Sequence, residues 1–478
     1  MQLAPTPQAA AQNTAGFALH GLSLTAFPST LSAFPVSLSA FPVSLSAFPV
    51  CATTQNDDYR PIVSSGDRED SPTVASIPTP TPSPSSGSSD GRSSSYAPTA
   101  YVTPQPDHMP NPLTTPQPDR GPVSKCGGFV NNPIASIPKG TSPQLFPGYG
   151  PPHIQAMYGI ASTAASAGAG KTVAIVTAFV DRNIESDLAV YRAAYGLPPC
   201  SVASGCLTIR VNLGDGKQHM APSSWSAETA LDTQMISAVC PLCKIVVVQA
   251  KSDQAQDLAE SVDTAAGYHP VAISNSYAIP ENQPATDQAK MISFAGHYRK
   301  SDMAITAGAG DHGYGVSYPA SIESVVSVGG TTIHQKGDGS FAAPTVWSGT
   351  GSGCSVLFKK PSWQTDAGCA MRTANDIAIL ADPATGVMAF TSYNGGWNVF
   401  GGTSVGAPIV AAMYALAGTT PHMKDPSQLY VHAQSLHPIS GSNGNCSPSY
   451  LCNGGVGYDG PSGLGAPYGL AAFASNLH

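Results

Sequence analysis

Lys244-Ile-Val-Val-Val-Gln-Ala250 decides the fold. Four consecutive β-branched residues suit a pleated strand and leave no polar face for water. Working outward, Val173-Ala-Ile-Val176, bounded by Gly170 and Lys171, reads as a second buried strand. Val271-Ala-Ile-Ser-Asn-Ser276, Met303-Ala-Ile-Thr-Ala307 and Val325-Val-Ser-Val328 follow at intervals long enough for crossovers. Residues 227–238 have helical spacing and end before Cys240-Pro241. Strands alternating with helices predict an α/β domain with a doubly wound, mostly parallel sheet and helices on both faces. Functional groups in such folds gather outside the carboxyl ends of the strands.

The chain has 478 residues, of which only 10% are charged, with 21 basic against 29 acidic side chains. A net charge of -8 without a basic stripe argues against a nucleic-acid partner. No run of about 18 apolar residues occurs, so a membrane span is not expected. Ten cysteines fall mostly into close pairs, Cys200/Cys206, Cys240/Cys243, Cys354/Cys369 and Cys446/Cys452. Short disulfide loops suit an oxidising compartment and imply export. Only Cys240-Pro-Leu-Cys243 has metal-like spacing and no second such pair completes a site. A redox role would be better served at a helix N-terminus than after a helix. Cys51 and Cys126 are left without an assigned state.

Residues 1–122 differ from the rest. A seven-residue unit opening at Leu24, Leu31, Leu38 and Leu45 carries a proline in each copy, which excludes a coiled coil. Residues 71–122 are rich in Pro, Ser and Thr and bury too little apolar surface to fold. A disordered leader (1–122), a short linker or propeptide remnant (123–148) and a catalytic domain (149–478) are the expected divisions. Met1 is followed by no basic region and unbroken apolar stretch, so export rests on the cysteines and the chemistry and not on a targeting sequence.

Three stretches carry chemistry. Gly401-Gly-Thr-Ser404-Val-Gly-Ala-Pro408 precedes an apolar run, 409–417. Small residues let a substrate approach Ser404, and Pro408 is expected in the first turn of the helix that follows. A serine hydroxyl needs a base, and none of the twelve histidines stands in an orienting motif. Glu228 and Asp232 are four apart on one helix face. Two carboxyls there can share a proton, which raises the pKa of one of them. Asp311 lies in the glycine-rich loop Ala307-Gly-Ala-Gly-Asp311-His-Gly313, where a protonated carboxyl can donate to an oxyanion.

In that combination and order the chain resembles the sedolisin family of serine-carboxyl peptidases, which have a subtilisin-like fold. The resemblance runs from about Tyr149 to the C-terminus and takes in Tyr318-Pro-Ala-Ser, Val328-Gly-Gly-Thr-Thr332, Ala381-Asp-Pro-Ala-Thr-Gly386 and Gly457-Tyr-Asp-Gly-Pro-Ser-Gly-Leu-Gly465. It implies an endopeptidase acting on proteins or peptides, monomeric, with Ser404 as nucleophile. Glu228 would be the base, Asp232 its proton-sharing partner and Asp311 the oxyanion acid. Ser274-Asn275-Ser276-Tyr277 would be the strand that pairs with substrate and borders the S1 pocket. The family's calcium site would fall on Ile439, Gly455, Gly457 and Asp459, but Pro438 replaces its first aspartate, which weakens it. The family's long folded propeptide has no counterpart in residues 1–148. Two rival readings stand beside this one. They are a Ser-His-Asp hydrolase with a base such as His219, and a catalytically silent member of the fold.

Overall fold

A computed structural model describes residues 147–213, 218–418 and 425–474, with the short strands Phe48–Pro49, Lys125–Cys126 and Phe129–Asn131. All belong to one unit, Leu45–His478. Apart from Phe48–Pro49, which pairs antiparallel with Phe129–Asn131, the leader with its heptapeptide repeats lies outside the described residues, as does Cys51.

The core is an eight-stranded sheet. Its order runs Thr345–Val346, Val326–Thr332, Ala304–Gly308, Ala272–Asn275, Thr172–Ala178, Lys244–Ala250, Leu207–Val211, and Ile377–Leu380 also pairs with Val326–Thr332. All pairs are parallel except that of Thr345–Val346. The chain lays down strands on one side of Thr172–Ala178 and then on the other. That reversal opens a crevice at the strand's carboxyl end.

Alternation explains why these strands read as unbroken apolar runs. Val173, Ile175, Ile245 and Val247 point into one core, with the helices Ser223–Val239 and Thr403–Ala417. Ala174, Val176, Val246 and Val248 point into the other, beneath the helix Ala255–Ala266. Successive side chains face opposite ways, so a sheet covered on both sides needs apolar residues at every position.

The helix Ser223–Val239 starts one turn before the predicted 227–238, just after the extended Pro222. Its first residues are mostly serine and lack an apolar stripe. From Trp225 onward every residue is buried, polar ones included. Several of those polar groups bond locally or across the fold. Thr229 and Thr233 Oγ1 donate to the carbonyls of Trp225 and Thr229, and the Gln234 amide exchanges hydrogen bonds with the Phe390 backbone at 2.7 and 2.8 Å.

All four expected disulfides form, Cys200–Cys206, Cys240–Cys243, Cys354–Cys369 and Cys446–Cys452. Cys240–Cys243 closes the turn after Ser223–Val239, where it staples that helix to the start of Lys244–Ala250. Among the described residues no helix is long and apolar enough to cross a membrane.

Ile175 is fully buried in the central strand, packed towards the helices Ser223–Val239 and Thr403–Ala417. Ile175→Ala is expected to lose about 2–5 kcal/mol through lost transfer energy and the cavity left behind. Urea unfolding followed by circular dichroism measures it, and an unchanged midpoint would contradict this packing.

Candidate active site

The nucleophile turn is built by close approach. A Cβ on Gly401 would sit 2.4 Å from the backbone of Pro383, and Gly402 adopts φ 102°, the left-handed region that favours glycine. The Gly402 N–H donates to the Ala381 carbonyl at 2.6 Å. The segment Ala381-Asp-Pro-Ala-Thr-Gly386 is therefore a shelf beneath this turn, held in place by Thr332 Oγ1, which donates to Asp382 at 2.6 Å. The helix Thr403–Ala417 begins at once, with Ser404 as its second residue. Its first N–H groups have no intrahelical acceptor and carry the positive end of the helix dipole. Ser404 is 1% exposed. Its Oγ has no hydrogen-bond partner among the described residues, so neither an imidazole nor a carboxylate engages it in this state.

Pro408 is not in the first turn as the sequence suggested. The helix starts five residues earlier, which places Pro408 inside it. There it withholds the N–H that would bond to the carbonyl four residues back, that of Ser404.

Asp311 lies just beyond the strand Ala304–Gly308 and is clamped to the head of the Ser404 helix. Its Oδ1 accepts from Thr403 N at 2.7 Å and Thr403 Oγ1 at 2.9 Å, and that Oγ1 accepts in turn from Gly310 N at 3.1 Å. Gly308 has no side chain because a Cβ would meet Thr403 Oγ1 at 2.8 Å. Asp311 Oδ2 has no partner. Burial pushes this carboxyl up to about 7, against the two Thr403 bonds that favour the ion.

Glu228 and Asp232 share a face of the helix Ser223–Val239, which packs against the Ser404 helix. Both are fully buried. Burial holds the Asp232 carboxyl well above the usual range, although Ser276 Oγ donates to its Oδ1 at 2.7 Å and opposes the shift. The same Ser276 Oγ lies 3.4 Å from the Ser404 carbonyl.

The stretch expected to pair with substrate is two strands, Ala272–Asn275 and Tyr277–Pro280, broken at Ser276. Ser274, Asn275, Ser276 and Tyr277 are all buried. Asn275 Nδ2 donates to the Thr306 carbonyl at 3.1 Å, and Tyr277 OH donates to Asn275 Oδ1 at 2.8 Å. Those two side chains brace the interior. One edge of Tyr277–Pro280 pairs with Ser317–Tyr318 and the other with Lys125–Cys126. Next to Asp311 opens a cavity of about 380 Å³, walled by Glu281, Gly310, Gly313, Gly351 and Gly353.

The His219 carbonyl accepts from Val180 N at 2.7 Å. The C-terminal loop fits calcium poorly. Asp459 Oδ2 accepts from Gly455 N at 2.9 Å and its Oδ1 from Ser462 N and Oγ at 2.8 Å, so protein donors already engage both oxygens. Burial raises this carboxyl to about 6. Calcium wants 6–8 oxygen ligands, and no group of three acidic, histidine or cysteine ligands exists among the described residues.

Sequence reasoning missed Thr403, the clamp on Asp311, and the place of Ser276 between Asp232 and Ser404. The threonine was visible only as the small neighbour of the nucleophile, and its partner is 92 residues away.

No protein-family model matches the chain. It is 29% identical over 320 residues to kumamolisin of Bacillus sp. (strain MN-32), covering 60% of this chain and 56% of that protein. It is 32% identical over 173 residues to sedolisin of Pseudomonas sp. (strain 101), covering 32% of this chain and 29% of that protein. Xanthomonalisin of Xanthomonas sp. (strain T-22) matches at 28% over 180 residues. The aligned stretches thus span about half or less of these relatives' lengths. In fold, the chain is similar to Pseudomonas sedolisin, a serine-carboxyl proteinase solved with two molecules of pseudo-iodotyrostatin. The TM-score is 0.59 at 23% identity, covering 68% of this chain and 97% of that one. In sequence the chain is thus similar to kumamolisin, sedolisin and xanthomonalisin, and in fold to Pseudomonas sedolisin.

Proposed function

We propose that this chain is a serine-carboxyl endopeptidase, exported and working in acid on protein or peptide substrates. The observation that carries the reading is the Asp311 clamp. A buried carboxyl, raised to about 7, is fixed by Thr403 at the helix end that holds Ser404, with one oxygen unspent. An ionised carboxylate would repel an oxyanion at that position. A neutral one donates to it, and preorganised donors of this kind supply the largest catalytic term in acyl transfer.

In the proposed reaction Ser404 Oγ bonds to the scissile carbonyl carbon while Glu228 takes its proton. The carbonyl oxygen becomes an oxyanion that accepts from the Ser404 N–H and the Asp311 O–H. Asp232, held above the usual carboxylate range by burial, keeps a proton next to the base. Collapse expels the amine, which takes the proton from Glu228, and water repeats the sequence on the acyl-enzyme. The four disulfides support export, because such bonds persist in oxidising compartments.

Ser404→Ala and Glu228→Gln are expected to abolish peptide turnover, and Asp311→Asn to cost about 10²–10³ in kcat, the size of one lost oxyanion donor. Steady-state cleavage of a denatured protein substrate checks all three. Undiminished activity in Ser404→Ala ends the proposal. Activity that survives Glu228→Gln and peaks in alkali would favour a histidine base.

Acid should also stabilise the fold. Burial raises Asp181, Asp253 and Asp459 to about 6 and Asp311 to about 7, all above the ordinary aspartate range. A raised folded pKa means that the native state binds the proton more tightly. The stability these groups add is therefore full below about pH 4 and lost as pH climbs through 6 and 7. Unfolding free energy is expected to fall between pH 4 and 7.5, and activity to fall as Asp311 ionises near 7. A stability that rises across that range would contradict the buried carboxyls described above.

The crowded carboxylate of Asp459 supports a C-terminal loop that takes calcium only weakly. Excess EDTA is expected to move the melting temperature by less than about 2 °C, since weak binding stabilises little at ordinary concentrations. A drop of 10 °C, restored by calcium alone, would show a tight site.

A further inference from the structure

We propose that Ser276 is a positioning residue that links the carboxyl of Asp232 to the backbone carbonyl of the nucleophile through the gap in the helix that Pro408 opens. The inference rests on the peptidase reading for its kinetic consequence and on the geometry alone for its physical one.

Three observations meet here. Pro408 stands four residues after Ser404 inside the helix, so it offers no N–H to the Ser404 carbonyl. The Ser404 residue is buried, and burying a carbonyl without a donor costs free energy. The polar group that reaches this carbonyl is Ser276 Oγ at 3.4 Å, and the same oxygen is 2.7 Å from Asp232 Oδ1. Ser276 sits at the break between Ala272–Asn275 and Tyr277–Pro280, a kink that turns its side chain towards both helices.

A hydroxyl carries one proton, so Ser276 cannot donate to both acceptors at once. With Asp232 ionised, the short bond keeps the proton on the carboxylate side and the Ser404 carbonyl goes without. With Asp232 protonated, its O–H donates to Ser276 Oγ, and the Ser276 O–H swings to the Ser404 carbonyl. The chain Asp232–Ser276–Ser404 is then complete. It fixes the first turn of the nucleophile's helix only when the proton is in place. Glu228, one turn earlier on the Asp232 helix, and Asp311, clamped beside Ser404, are the other carboxyls of the site, so the titration must be read at Asp232 itself.

The test is a double-mutant cycle on the full chain. Ser276→Ala is expected to lower kcat about tenfold or more with KM within about twofold, because a misplaced nucleophile loses rate more than binding. Ser276→Thr, which keeps the hydroxyl, should recover most of it. In Pro408→Ala the Ser404 carbonyl regains a helical N–H, so adding Ser276→Ala should cost less than about threefold. Equal loss in both backgrounds, or no rescue by threonine, overturns the proposal.

A second reading needs no turnover. The Asp232 carboxyl is followed across pH by isotope-edited infrared spectroscopy. Pro408→Ala removes the competing acceptor that favours the protonated form, so the Asp232 pKa should fall by about half a unit or more. An unchanged titration refutes the link even if the chain cleaves peptides. A shifted titration in a chain without activity upholds the link and sinks the peptidase reading alone.

Discussion

The two hydrogen bonds from Thr403 to Asp311 are the constraint on which the rest of the site depends. They join a loop at the carboxyl end of a central strand to the amino end of a helix that begins 92 residues later. Each side of that joint is shaped to allow it. Gly308 gives up its side chain so that Thr403 Oγ1 can approach, and Gly310 donates its N–H back to the same oxygen. On the other side Gly401 and Gly402 let the chain drop over Pro383 into the helix without a linker. If the joint were loose, Asp311 would swing away from Ser404 and its carboxyl would gain water. It would then ionise as an ordinary aspartate.

The same economy of water governs the second half of the site. A helix buried on every side is a costly place for Glu228 and Asp232, because charge is penalised in a medium of low polarity. Burial holds the Asp232 carboxyl well above the usual range, and a hydroxyl, that of Ser276, is its partner. By contrast Arg372, also buried, keeps its charge because the Asp376 carboxylate lies 2.6 Å away. One chain thus handles buried acids in two ways. Asp376 is paired with a cation, whereas burial turns Asp232 and Asp311 towards the neutral form.

How much of this was legible follows from the range of each interaction. Strands were readable because an all-apolar run such as Ile245 to Val248 has one explanation, a sheet covered on both faces. The disulfides were readable because each loop is short. The nucleophile turn and the two-acid helix face were readable because their spacing is local. The start of the helix at Ser223 was not, since its opening serines carry no apolar stripe. Nor was the interior place of Pro408, because a proline near a serine looks the same in the first turn as in the second. Thr403 and Ser276 were invisible for a deeper reason. Their partners lie 92 and 128 residues away in sequence, and nothing local marks a threonine or serine as a clamp. The asparagine and tyrosine next to Ser276 have side chains that brace Thr306 and each other, partners that sequence spacing does not mark.

Seen together, the buried acids explain the composition that first looked like an absence. A chain with 10% charged residues cannot rely on ion-pair networks for stability. Its carboxyls at 181, 253, 311 and 459 are each pushed up mainly by burial, not by a like-charged neighbour. In neutral water such groups would be liabilities, since each must shed its proton inside the fold. In acid they are hydrogen-bonding groups like any amide, and the protein keeps its interior without paying for charge. The condition that would let Asp311 donate to an oxyanion in the proposed reaction is therefore the one in which the surrounding fold is least strained. On that proposal, catalysis and stability ask for the same proton.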